Sequence, residues 1–140
     1  MRNRIVRGML GTALLLLTAC GSHEAPPEAL FPPALGDAWK RTSLTQAPAA
    51  EAPEDLARLG VKRIVRAEYA GPGVVHAEIH EMTTSAASLE AVQKWRAQAD
   101  SVIFHHENYF VRVHWQDANK DAATDFVRAL QNHLTRGPTA

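Results

Sequence analysis

The sequence predicts an α+β domain: an antiparallel sheet of about 4–5 strands with two main helices packed on one face. Three observations carry this expectation. Two runs of alternating apolar and polar residues, 61–69 and 74–82, flank Ala70-Gly71-Pro72-Gly73, the pattern of a hairpin. A second pair of strand-like runs, 102–104 and 109–115, flanks His105-His106-Glu107-Asn108. The two long helical periodicities follow these hairpins and do not alternate with single strands, which argues against a parallel sheet.

Taken in order, Trp39-Lys40-Arg41-Thr42-Ser43-Leu44 reads as a first strand. The Ala/Pro/Glu-rich stretch 45–55 reads as a surface loop. Residues 54–59 look like a turn or two of helix closed by Gly60 as a left-handed cap. In the first hairpin, Val65, Ala67 and Tyr69 share one face, as do Val75, Ala77 and Ile79. Those are the core faces. The opposite faces carry Arg66 and Glu68, then His76, Glu78 and His80. Thr83-Thr84-Ser85 supplies an N-cap for a helix over 86–99, with Leu89, Val92, Trp95 and Ala99 as its apolar stripe. In the second hairpin Tyr109, Val111, Val113 and Trp115 point one way; Phe110, Arg112 and His114 point the other. Asp117 caps a last helix running to about Thr135. Its stripe of Ala123, Phe126, Val127, Leu130 and Leu134 is strictly amphipathic, and Gly137-Pro138 ends it. With both long helices on one face, Arg66, Glu68, His76, Glu78, His80, Arg112 and His114 are expected on a wet one. Trp39, Trp95 and Trp115 are expected as core anchors.

Ahead of the domain (37–137) lie two further segments. Arg2, Arg4 and Arg7 precede a nine-residue apolar run, 9–17, which as a helix spans only about 14 Å of a ~30 Å hydrocarbon core. Residues 1–19 therefore read as a signal peptide and not as a permanent span. Leu17-Thr18-Ala19-Cys20 resembles the bacterial lipobox. That resemblance implies cleavage before Cys20, a diacylglyceryl thioether on its sulfur and a further, amide-linked acyl chain. Several acyl chains give the stable membrane attachment that one alone does not. Gly21 stands where an inner-membrane retention Asp would sit, so sorting by analogy points to the outer membrane, facing the periplasm. Residues 20–36 follow as the lipidated cysteine and a tether with four prolines, extended enough to lift the domain off the bilayer. Leu30, Phe31 and Leu35 are too apolar for a spacer, and this end of the tether is expected to dock.

The 140 residues hold 15 basic and 15 acidic side chains, and removing the signal leaves 12 basic and 15 acidic ones. A formal charge of −3 offers nothing to hold nucleic acid. The single cysteine excludes a disulfide framework and any multi-thiolate metal site. No G-x-S-x-G elbow, P-loop or G-x-G-x-x-G is present.

The histidines are the one chemical signal, seven in all. His76-Ala77-Glu78-Ile79-His80 puts two imidazoles and a carboxylate on one strand face, with His114 on another strand as a fourth ligand, a candidate Zn²⁺ or Cu²⁺ site. The other reading is a solvated face whose His and Glu pair with Arg66 and Arg112 across strands. The same cluster could also sense pH. His105-His106-Glu107 lacks the spacing of a helical metal motif and reads as a polar turn tip. His133 is placed to meet the last helix's C-terminal dipole.

Trp39, Gly60, Lys62, Arg63, Ala67, Tyr69, Met82, Trp95, Tyr109 and Val111 fall in a pattern that resembles an uncharacterised family of bacterial envelope lipoproteins, a domain of unknown function. The resemblance spans about two-thirds of the chain on structural residues, and it implies no reaction, cofactor or catalytic set. The expectation is then a lipid-anchored envelope protein acting as a non-enzymatic binding or structural accessory module. Its partners would be the membrane, through Cys20, and another envelope protein. A metal-binding role is the alternative, with a small hydrolase behind it.

Overall fold

A computed structural model describes residues 24–137. The expected signal peptide over 1–19, the expected acylation of Cys20 and the sorting position Gly21 lie outside the described residues. The fold is α+β and its sheet is antiparallel throughout. It comprises β1 (Ala34–Leu35), β2 (Trp39–Pro48), β3 (Val61–Ala70), β4 (Val74–Met82), β5 (Ser101–His106) and β6 (Tyr109–Gln116). Their order across the sheet is β1-β2-β3-β4-β6-β5. Six strands stand where 4–5 were expected. The additional one is β1, two tether residues that pair with Trp39 and Lys40. β2 also runs on through Thr45–Pro48, which the sequence reads as loop, because β3 offers partners as far as Arg63. Pro48 ends the strand, where its missing N–H costs least. Between β3 and β4 the chain approaches β2 so closely that a Cβ at Gly71 would collide with the Ala38 carbonyl.

The helices are α1 (Pro27–Leu30), α2 (Glu54–Leu59), α3 (Ser85–Lys94) and α4 (Lys120–Arg136). α2 closes at Gly60, at φ +97°, as the sequence predicts. α4 is capped by Asn119, whose side chain accepts from the Ala122 N–H; Asp117 instead takes a left-handed turn at φ +56°. All five stripe residues of α4 are buried. Phe126, Val127, Leu130 and Leu134 pack on Val65, Ala67, Tyr69, Val75, Ala77, Ile79, Val111 and Val113. Trp39 and Tyr69 meet the Phe126 ring edge-on at 5.6 and 5.1 Å. Burying each such side chain stabilises the fold by about 1.5–3 kcal/mol.

The second long helix overturns the one-face expectation. β6 lies between β4 and β5, so the chain leaving β4 must cross the sheet to reach β5. α3 is that crossover, and it passes over the face opposite α4. There it joins α2 in a second core of Leu56, Met82, Ala87, Ala91 and Phe110. The stripe is also rotated. Ala87, Ser88 and Ala91 are buried, and Leu89 is 43% exposed. Small residues let α3 sit close to the strands. Ser88 donates to the Ser85 and Glu107 carbonyls, tying the helix to the β5–β6 turn. The helix stops at Trp95 and does not reach Ala99, because Trp95 turns extended (ψ 134°) and lays its ring against Phe110.

Candidate functional site

Period-2 alternation puts every second residue of β2, β3, β4, β6 and β5 on the α3 face, and the register lines them up into rows running across the sheet. One row reads Ile64, His80, Phe110 and His105. The next reads Thr45, Arg66, Glu78, Arg112 and Ile103. A third reads Ser43, Glu68, His76, His114 and Ser101. Ile64, His80 and Phe110 in the first row are buried. The other two rows form the floor of a half-open groove of about 500 Å³, with Trp95, Ala97 and Gln98 as one wall. The wall exists because α3 ends early at an extended Trp95, leaving 95–98 outside any helix beside the sheet.

Charge on the floor is paired across strands. Arg66 Nε donates to Glu78 Oε2 at 2.7 Å and its Nη1 to Glu51 Oε2 at 3.2 Å. Hydrogen bonding to Glu78 holds the Arg66 pKa above its ordinary value, against the opposing effect of burial. Arg112 Nη1 donates to Glu78 Oε1 at 3.4 Å, and its guanidinium lies 4.9 Å over the Trp95 ring, a cation–π contact. In the outer row His76 Nδ1 is 3.3 Å from Glu68 Oε2, and the His76 and His114 rings stack with centroids 6.5 Å apart. Arg66, Arg112, Glu68 and His76 keep between 37% and 46% of their side-chain surface exposed. The solvated, cross-strand-paired reading of this face therefore holds for these two rows.

The metal reading does not gather its ligands. Glu78 is engaged by two guanidiniums, and His76 and His114 stack ring on ring. His80, expected on a wet face, is completely buried in the row beneath α2 and α3. Among the described residues, no three His, Cys, Asp or Glu side chains are grouped so as to hold a metal ion.

His80 itself is unusual. Its Nε2 lies 3.2 Å from Glu78 Oε1, yet neither ring nitrogen makes a hydrogen bond. Burial pushes its pKa down to about 4, only partly offset by Glu78, so the ring is neutral at pH 7. Ser101 stands opposite His114, but its hydroxyl donates to the Gln98 carbonyl at 2.7 Å. A nucleophile activated by a base would need that proton directed to the imidazole.

The sequence missed Ser43, Thr45, Trp95, Gln98, Ser101 and Ile103 as groove residues. The parity of β2 and β5 would have found the strand positions once the strand order was known; nothing local marks the wall. Of the remaining histidines, His105 and His106 were expected in a turn but are the last two residues of β5, paired with Phe110 and Tyr109; only Glu107 and Asn108 form the turn. His133 has a use the sequence did not show: its Nε2 is 2.6 Å from the Ala29 carbonyl, linking α4 to α1. No family model matches the chain, and no curated protein or solved structure matches it.

Proposed function

We propose that this chain is a lipid-anchored bacterial envelope protein, acylated at Cys20, whose domain is a non-enzymatic binding or structural accessory module. Its partner is received in the groove over the open half of the α3 face. The groove is the observation that carries this reading. Its volume of about 500 Å³ is within the range of ligand sites. Its floor is polar, half-exposed and organised in register, and its wall is aromatic. Paired charges of both signs suit a polar, peptide-like partner that offers both donors and acceptors. They do not suit a polyanion, which a charge-balanced floor fails to attract. The anchor is supported by the Leu17-Thr18-Ala19-Cys20 sequence, and the outer membrane by Gly21.

The test places a photo-crosslinking residue at Thr45 or Ser101 in the groove, or at Arg128 on α4, in full-length protein in cells. A discrete protein adduct from the groove positions and none from Arg128 supports the reading. Adducts alike at all three, or none from the groove, refute it. Turnover in a hydrolase substrate panel, lost in Ser101→Ala or His114→Ala, would replace it with an enzyme. The anchor has its own check: Cys20→Ser should abolish labelling by clickable palmitate and release the protein from membranes.

A further inference from the structure

The Pro-rich segment was expected to lift the domain off the bilayer while its Leu30, Phe31 and Leu35 end docked; that end does dock, and the docking starts earlier, at Ala25. Five contacts fix the segment between Ala25 and Pro33. Arg63 Nη2 donates to the Ala25 carbonyl, His133 contacts the Ala29 carbonyl, and Arg41 Nη1 donates to the Phe31 carbonyl. The Tyr69 hydroxyl donates to the Pro32 carbonyl at 2.7 Å, and the Arg41 N–H to the Pro33 carbonyl at 2.9 Å. Leu30 and Phe31 have no exposed surface, and Leu35 has 4%. The first of these contacts matters most. Arg63 is 4% exposed, and its Nε donates to the buried Glu81 at 2.5 Å while lying 3.3 Å from Glu24. A buried guanidinium needs its hydrogen bonds filled, and the Ala25 carbonyl fills one of them. The docked segment is thus part of the core, and it begins at the end of the sheet where β3 starts and β4 stops.

Resting on the acylation of Cys20, we propose that the domain is seated directly on the bilayer. The Arg63 end of the sheet meets the lipid headgroups, and the groove's outer row faces away from the membrane. The argument is one of length. From Cys20 to Glu24 there are four Cα steps, at most about 15 Å even when fully extended. The headgroup layer takes up roughly 5–8 Å of that. A free extended tether over 20–36 would have given about 50 Å. Arg66 lies three residues along β3 from the clamp and Glu68 five, about 10 and 17 Å from Arg63 along the strand. The anchor therefore fixes which end of the groove a periplasmic partner approaches. The surface that receives lipid is the clamp end, where Lys62 is exposed; the Gly71-Pro72-Gly73 turn is the far end, about 26 Å away along β3.

Quenching in vesicles tests this. Full-length protein carrying Lys62→Cys, Pro72→Cys or Asp37→Cys is extracted from membranes and labelled with a fluorophore on the introduced thiol. The Cys20 sulfur, held as a thioether, does not label. The protein is then reconstituted into phosphatidylcholine–phosphatidylglycerol vesicles containing a headgroup nitroxide lipid. The expected result is quenching at position 62 at least threefold stronger than at positions 72 and 37. A 15-residue Gly/Ser insert after Ser22 should remove that difference. Equal quenching at all three positions without the insert overturns the seating while leaving the anchor intact. Failure of the protein to float with the vesicles overturns the anchor reading, and the seating with it.

Discussion

The two faces of this sheet are built from the same strands and differ in what covers them. On the α4 face one long amphipathic helix and the docked N-terminal segment cover every row, from Tyr69 at one end to the Arg63–Glu81 pair at the other. On the α3 face two short helices cover only the row of Ile64, His80 and Phe110, and the next two rows remain open. One face is filled with side chains that stabilise by leaving water. The other keeps charged side chains half in water, where pairs contribute about 0–1 kcal/mol each. The open rows therefore do little for the fold, which leaves them free for binding.

Perturbations on the two faces should then differ in size. Phe126→Ala, which opens a cavity between Trp39 and Tyr69, should cost about 3–5 kcal/mol in urea unfolding. Breaking the buried clamp by Arg63→Met should cost a comparable ~3–5 kcal/mol, since it leaves the Glu81 carboxylate buried and unpaired. Adding Glu81→Leu to that variant should recover part of the loss. A recovery of zero would mean that the Ala25 contact, and not the ion pair, is what stabilises.

The covered row of the α3 face should show itself in pH dependence. His80 has a folded pKa of about 4, against about 6.5 when unfolded, with Glu78, Arg112 and Arg66 the charges nearest in effect. Between those values the unfolded chain binds a proton that the folded chain refuses. Stability is therefore undiminished by this group above pH 6.5 and falls as pH drops from there towards 4. Between pH 6.5 and 5 the loss should be about 2 kcal/mol. In His80→Leu, chemical denaturation across that range should show a flatter profile. An unchanged slope would mean that the ring is not held neutral. Smallest of all, Leu89→Ser should change stability by no more than about 0.5 kcal/mol, since that side chain lies outside the rotated stripe of α3.

These residues also show how far the sequence could be read. The α4 face was legible because one period, 3.6 in the helix and 2 in the strands, decided everything: Phe126, Leu130, Val65 and Ile79 all lie where alternation puts them. The middle of the groove floor, on β3, β4 and β6, was legible for the same reason, but Ser43, Thr45, Ser101 and Ile103 on the flanking strands were not. What failed was long-range order. Adjacency along the chain does not reveal that β6 inserts between β4 and β5, and that insertion sends α3 to the other side and buries His80. The clamp was visible in principle. Arg63 and Glu81 share the inward parity of Val65 and Ile79, and opposite charges on a core face mark a buried pair. Small residues misled in α3, where Ala87, Ser88 and Ala91 pack closely and the larger Leu89 does not.

The division of labour between the faces is tested most directly by removing the charge ladder whole. In Arg66→Gln/Glu78→Gln/Arg112→Gln, both the unfolding midpoint and the yield of the Thr45 photo-adduct are measured on the full-length protein. The expected result is a stability change of no more than about 1 kcal/mol together with loss of the adduct. A collapse of stability, or an adduct that persists undiminished, would contradict the account.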